Sequence, residues 1–144
     1  PYARGTIVGL TRGTGRAHIA RAALEAIAFQ TVDAVRAQEL ASGKPLVGLK
    51  ADGGAVSNHW LMQFQADVLD APVALSEIPE TTALGAAYMA GVGTGFWSPG
   101  DISSMWKASR VFEPDMDASH REHLLEQWSL AVGKSRGWAL GDVE

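Results

Sequence analysis

At 144 residues the chain has the length of one domain, and with 47% apolar residues it can enclose a core. Its 12 basic and 16 acidic residues give a net charge of −4 without a basic stripe, which argues against a nucleic-acid partner. The lack of cysteine excludes disulfides and thiolate metal sites and fits a reducing compartment, expected here to be the cytoplasm.

No apolar run approaches the roughly 20 residues needed to cross a bilayer, so no membrane partner is expected. The chain starts at Pro1 without an initiator methionine, and the expectation is a piece of something longer.

In chain order, TIVGL at residues 6–10 is short, β-branched and apolar and predicts a strand, while TRGTGR after it predicts a glycine-broken loop. A long helix should run from Ala17 to about Glu39. Apolar or small residues recur there at Ala20, Leu24, Ile27, Ala28, Thr31 and Val35, the spacing of one buried face, with Arg21 and Glu25 turned outward together. Ser42-Gly43-Lys44-Pro45 should stop it. Leu46 to Ala51 predicts a second strand with both faces covered by helices. A helix from about Ser57 to Leu69 should bury Trp60, Leu61, Phe64 and Val68, ended by Pro72. A brief strand follows at Val73 to Leu75, then a helix from near Thr82. That helix has a small stripe (Ala83, Ala87, Ala90, Gly91, Thr94) and a bulkier one (Leu84, Tyr88, Val92).

Residues 96–118 hold two prolines and little periodicity and read as irregular surface chain. Ser119-His120-Arg121-Glu122 then reads as a capping box. It opens a last helix with an apolar stripe of Leu124, Leu125, Trp128, Ala131, Val132 and Trp138. The alternation of strands and helices implies an α/β fold, with residues 1–95 as its core and 96–144 as irregular chain plus a terminal helix.

The chemistry concentrates in DGGAVSN at residues 52–58. At a strand exit and helix entrance, unpaired amides and the helix dipole favour phosphate-bearing ligands. Gly53 and Gly54 remove the Cβ atoms that would hold a ligand off the backbone, and Asn58 offers a donor and an acceptor to an adenine edge. The same residues also fit a tight turn in which Ser57 caps the helix. Neither the GxGxxG fingerprint nor the P-loop is present. His120 and His123, three apart, have no convergent third metal ligand in the sequence, and no metal site is assigned. His18 and TRGTGR read as plain loop and helix start. The tryptophans read as core and packing residues, and Asp67 and Asp70 as outward-facing.

LKADGGAVSNHWLMQFQADVLDAPV resembles the adenosine-motif strand, loop and helix of glycerol kinases, within the FGGY carbohydrate kinase family. YARGTIVGLTRGTGRAHIARAALEAIAFQTVDAV and ETTALGAAYMAGVGTGFW are similar to the flanking segments, in order and spacing, and the likeness continues more loosely to the end. His59-Trp60 departs from the Asn-Phe common in the family.

The resemblance implies the actin-like ATPase (ribonuclease-H-like) fold and residues 1–144 as part of its C-terminal, nucleotide-side domain. It implies ATP as phosphoryl donor with Mg²⁺, glycerol as acceptor, and a homo-oligomeric complete enzyme. It also implies that Gly53 and Gly54 lie against the nucleotide and that Asn58 contacts the adenine. In that family the general base, the glycerol contacts and the phosphate motifs lie upstream, so these residues alone should be inactive. Asp52 is expected to order the loop. Another FGGY polyol or sugar kinase, or a nucleotide-binding module without phosphoryl transfer, are the alternatives.

Overall fold

The computed structural model of the chain describes residues 2–78 and 80–139; Pro1, Pro79 and residues 140–144, which the 1–144 domain reading includes, lie outside the described residues. The elements in order are α1 (Arg16–Ser42), β1 (Leu49–Ala51), a 3-10 turn (Gly54–Ser57), α2 (His59–Leu69), β2 (Val73–Ser76), α3 (Thr81–Gly93), α4 (Pro99–Met105), β3 (Ala108–Phe112) and α5 (Ala118–Ser135).

α1 ends as expected: Gly43 takes the left-handed region at φ 66, and its amide donates to the Glu39 carbonyl at 2.8 Å. Its buried face differs from the predicted one. Ala28, Phe29 and Val32 are buried, whereas Ala20 is exposed and Ile27 is half exposed. The cause is aromatic. Phe29 inserts between two other helices, lying edge-on to Phe64 of α2 at 5.5 Å and stacked on Trp128 of α5 at 5.4 Å. Phe64 in turn stacks on Trp60 at 5.1 Å, and the Arg21 guanidinium lies 3.7 Å from the Trp60 ring centre. Offset and edge-on rings at these separations add to what burial alone gives. Gln65, the buried polar residue of α2, satisfies itself by donating to the Ala28 carbonyl at 3.2 Å, which fixes α2 along α1.

β1 and β2 pair in parallel, Leu49 with Val73 and Ala51 with Leu75. β3 joins the far side of β2 antiparallel, Val73 with Phe112 and Leu75 with Arg110. Val73, Leu75 and Phe112 are buried with α1 and α2 in a single core, onto which Leu124, Leu125 and Trp128 of α5 pack. The opposite face carries Lys50, Ala74 and Val111, and Val111 is 47% exposed. The expected second helical layer is therefore not found over it among the described residues. Lys50 instead sets its ammonium 3.9 Å over the Trp106 ring.

Several elements depart from the sequence expectation for local reasons. TIVGL forms no strand; Ile7, Val8 and Leu10 are 63%, 48% and 58% exposed, and the described sheet offers this stretch no neighbouring ladder. β1 starts at Leu49 instead of Leu46 because the Leu46 amide donates to Glu39 Oε1 at 2.6 Å, which ties that end to α1. The stretch read as irregular contains α4 and β3. Ser98-Pro99-Gly100-Asp101 is a capping box with proline in the first turn, Ser98 N donating to Asp101 Oδ2 at 2.8 Å and Asp101 N to Ser98 Oγ at 3.3 Å. α5 is capped by Asp117, not by Ser119: the Asp117 carboxylate accepts from both Ser119 N at 2.8 Å and Ser119 Oγ at 2.6 Å. Trp138 lies past the end of α5 and is 71% exposed, so it is not part of the α5 stripe.

α3 is apolar all round yet buries none of its residues fully. Its bulky side, Leu84, Tyr88 and Val92, is half-buried, and Ala83, Ala87 and Ala90 are exposed. Trp97 folds back on it, edge-on to Tyr88 at 5.5 Å and over Gly91, where a Cβ would come within 2.3 Å of the indole.

Two outcomes follow from this packing. Phe64→Ala removes the middle of the aromatic contacts and should cost about 3–5 kcal/mol in denaturant unfolding. At α5, the Ser119 hydroxyl and then the Ser119 and His120 amides hold the Asp117 carboxyl below its ordinary range. A depressed carboxylate contributes stability above its unfolded pKa and loses it as pH falls through the folded value. The protection of the Ser119 amide, relative to the intrinsic exchange rate at each pH, should therefore fall only below about pH 4, and Asp117→Asn should abolish that acid limb.

Candidate nucleotide site at the exit of β1

β1 ends at Ala51, and the chain turns within a few residues into α2. Gly53 sits at φ 86, ψ −176, a region open in practice only to glycine, so its missing side chain is demanded by the backbone. Gly54 differs. It has no positive φ, and a Cβ built on it meets no protein atom within 4 Å. The fold gives no reason for a glycine there.

The 3-10 turn is closed by Val56 N donating to the Gly53 carbonyl at 3.3 Å, Asn58 N to the Ala55 carbonyl at 3.1 Å, and Ser57 Oγ to the Gly54 carbonyl at 2.9 Å. Ser57 thus belongs to the turn, and the helix cap is Asn58. Its Oδ1 accepts from Leu61 N at 3.1 Å while its carbonyl accepts from Met62 N at 3.1 Å. The cap fixes the side-chain amide so that its NH₂ group has no hydrogen-bond partner among the described residues.

The two residues after Asn58 are each tethered to an element distant in sequence. Arg110 of β3 donates through Nη1 to His59 Nδ1 at 3.2 Å, with its guanidinium 4.7 Å over Phe112. Trp60 lies beneath Arg21 of α1, whose Nε is held by Glu25 at 2.8 Å. Gly53, Gly54 and Asn58 therefore line one short exposed turn at the carboxyl end of a parallel strand pair, where ligands of α/β sheets bind.

The model of the FGGY family of carbohydrate kinases, C-terminal domain, matches residues 1–94. The chain belongs to the FGGY family. It is similar to the glycerol kinase of Symbiobacterium thermophilum (strain DSM 24528 / JCM 14929 / IAM 14863 / T), 57% identical over 139 residues, 96% of this chain and 28% of that protein. It is likewise 55% identical over 138 residues to the glycerol kinase of Nitratidesulfovibrio vulgaris (strain DP4), 95% of this chain and 28% of that protein. Among solved structures, Plasmodium falciparum glycerol kinase with ADP superposes at TM-score 0.81 with 36% identity, over 93% of this chain and 27% of that one. Ligand-bound xylulose kinase from Lactobacillus acidophilus gives TM-score 0.78 with 26% identity, over 92% of this chain and 27% of that one. The FGGY chain described here thus spans 28% of the length of these curated relatives. Its three-stranded sheet with flanking helices is a portion of the actin-like ATPase fold of these kinases.

Other singled-out residues of this FGGY chain have structural partners. Asp67 does not point outward; its Oδ1 accepts from Gln63 Nε2 and from Asp115 N, both at 2.9 Å, and so anchors the approach to α5. Asp70 closes α2 in the left-handed region at φ 55 and pairs with Arg121 at 2.9 Å. Asp52, expected to order the loop, makes no hydrogen bond among the described residues; Ser57 does that work. TRGTGR is a turn in which Thr11 N donates to Thr14 Oγ1 at 2.9 Å, and His18 Nδ1 accepts from Gly15 N at 3.1 Å at the start of α1. His120 and His123 are exposed on α5. Arg110 was missed by sequence reasoning, since its contact with His59 spans 51 positions and follows no local pattern.

The two glycines should separate by experiment. Gly53→Ala forces a Cβ into a left-handed backbone and should lower stability by about 1–3 kcal/mol, whereas Gly54→Ala should change thermal stability far less.

Proposed function

We propose that this chain is the carboxy-terminal, nucleotide-side part of a glycerol kinase and that Gly53, Gly54 and Asn58 form the adenosine end of its ATP site. The observation that carries the reading is the contrast between the glycines: Gly53 is required by its φ, while Gly54, in the same turn that ends at Asn58, opens onto empty space. A bare backbone with no internal cause is what a closely seated ligand requires. Asn58 fits the adenine role in one particular way. Its oxygen is committed to the α2 cap, so its NH₂ is the group available to an acceptor on the purine edge.

The reaction is transfer of the γ-phosphoryl of ATP to a glycerol hydroxyl, giving glycerol 3-phosphate. In it these residues bind and orient the nucleoside end. Mg²⁺ belongs with the ATP phosphates and is assigned no ligand in this chain; the general base and the glycerol contacts are likewise placed outside it. The isolated chain is accordingly expected to be inactive. What supports glycerol over another acceptor is the level of likeness: among solved structures 36% to the glycerol kinase against 26% to the xylulose kinase, with 55–57% to the curated glycerol kinases. The absence of cysteine fits a cytoplasmic setting.

The cap suggests a cleaner variant than alanine. Asn58→Ser keeps a capping oxygen and should hold stability within about 0.5 kcal/mol, while loss of the amide NH₂, whose reach the shorter hydroxyl does not match, should weaken adenine-nucleotide binding by roughly 0.5–1.5 kcal/mol. Gly54→Val should fold and bind nucleotide more weakly still, because its side chain occupies the ligand's place. Calorimetry with ADP on the full-length kinase checks both; unchanged affinity in the pair would remove the site. A screen of polyols and ketoses on the same enzyme tests the acceptor.

A further inference from the structure

We infer that Arg21 is a positioning residue for adenine recognition, acting through Trp60 on Asn58; the inference rests on the nucleotide reading above. Asn58 can present its NH₂ in one direction only while its oxygen stays bonded to Leu61 N, and that bond exists only while the first turn of α2 is intact. First turns are where helices fray, because their leading amides have no partner within the helix. Trp60 is the second residue of this turn.

Phe64, one turn later and 5% exposed, stacks on its ring at 5.1 Å. The Arg21 guanidinium lies 3.7 Å from the Trp60 ring centre and 6.0 Å from that of Phe64, so one cation spans both rings and links the first turn of α2 to the second. Glu25, one turn along α1, accepts from the Arg21 Nε at 2.8 Å and orients the planar guanidinium, a geometry that suits arginine. The chain thus ties the residue two places after Asn58 to α1, a helix otherwise remote from the loop.

The test uses the full-length kinase, with affinities for ADP and CDP by calorimetry. Contacts to ribose and phosphate serve both nucleotides, whereas the Asn58 donor is matched to the adenine edge. Arg21→Ala should weaken ADP about two- to fivefold and lower the ADP-over-CDP preference by a similar factor, with KM for ATP rising more than kcat falls. Arg21→Lys, which keeps a cation over the ring, should recover most of the preference. Trp128→Phe supplies the structural control: it breaks the indole's 2.7 Å bond to Asp33 at the other end of the aromatic series and should lower Tm without moving the preference. A preference unchanged in Arg21→Ala, with or without a fall in Tm, overturns the inference. Asn58→Ser, run alongside, tells the two ideas apart. If it lowers the preference and Arg21→Ala does not, only the positioning role falls; if it too has no effect, the adenine site falls and the positioning role with it.

Discussion

Everything in this structure depends on a continuous series of planar groups, part stacked and part edge-on, drawn from three helices: Arg21, Trp60, Phe64, Phe29 and Trp128. Each member touches the next within ordinary aromatic contact distance, and both ends finish on a carboxylate, Glu25 for the guanidinium and Asp33 for the indole nitrogen. The polar handles are satisfied at the rim while the ring faces fill the interior. Because α2 contributes Trp60 and Phe64, its height over β2 and β3 follows from how α1 clasps it. The loop at its amino end inherits that height.

Loop and scaffold divide their tasks clearly. Hydrogen bonds inside the turn set its shape, and the helices behind it set its place. On the proposed reading, nucleotide binding needs only two liberties from the local rules, a glycine where none is demanded and an asparagine whose amide is half used. Departures of this kind, on an otherwise self-consistent framework, are the usual mark of a binding surface.

The same division explains what could be read in advance. Long helices with strong punctuation were legible: Gly43 stopped α1 where expected, and α2 ended ahead of Pro72 as expected, closed by Asp70. The small exposed loop was legible too, because glycine pairs and a following asparagine are local signals. What failed was non-local. The buried side of α1 is rotated because Phe29 has partners on two other helices. β3 was hidden because ASRVF is polar at its start, and its register comes from β2. Ser119 lost its capping role to a stronger neighbour, Asp117, two positions before it. TIVGL has strand composition without a strand's neighbour. Likewise, no pattern in the sequence announces that Arg110 reaches His59.

The sheet's two borders are unlike. On β3 the pairing slips between Leu75 and Ser76, Ser109 turns its hydroxyl back to the Ser76 carbonyl at 3.2 Å, and Arg110 stands in the middle of the strand. A kinked border bearing a guanidinium is a poor template for another backbone. β1 on the other flank is short and shows no such slip in its pairing. Any lengthening of this sheet is thereby polarised, free to proceed past β1 and blunted at β3, so that the domain carries within its own three strands an instruction about the direction in which it accepts company.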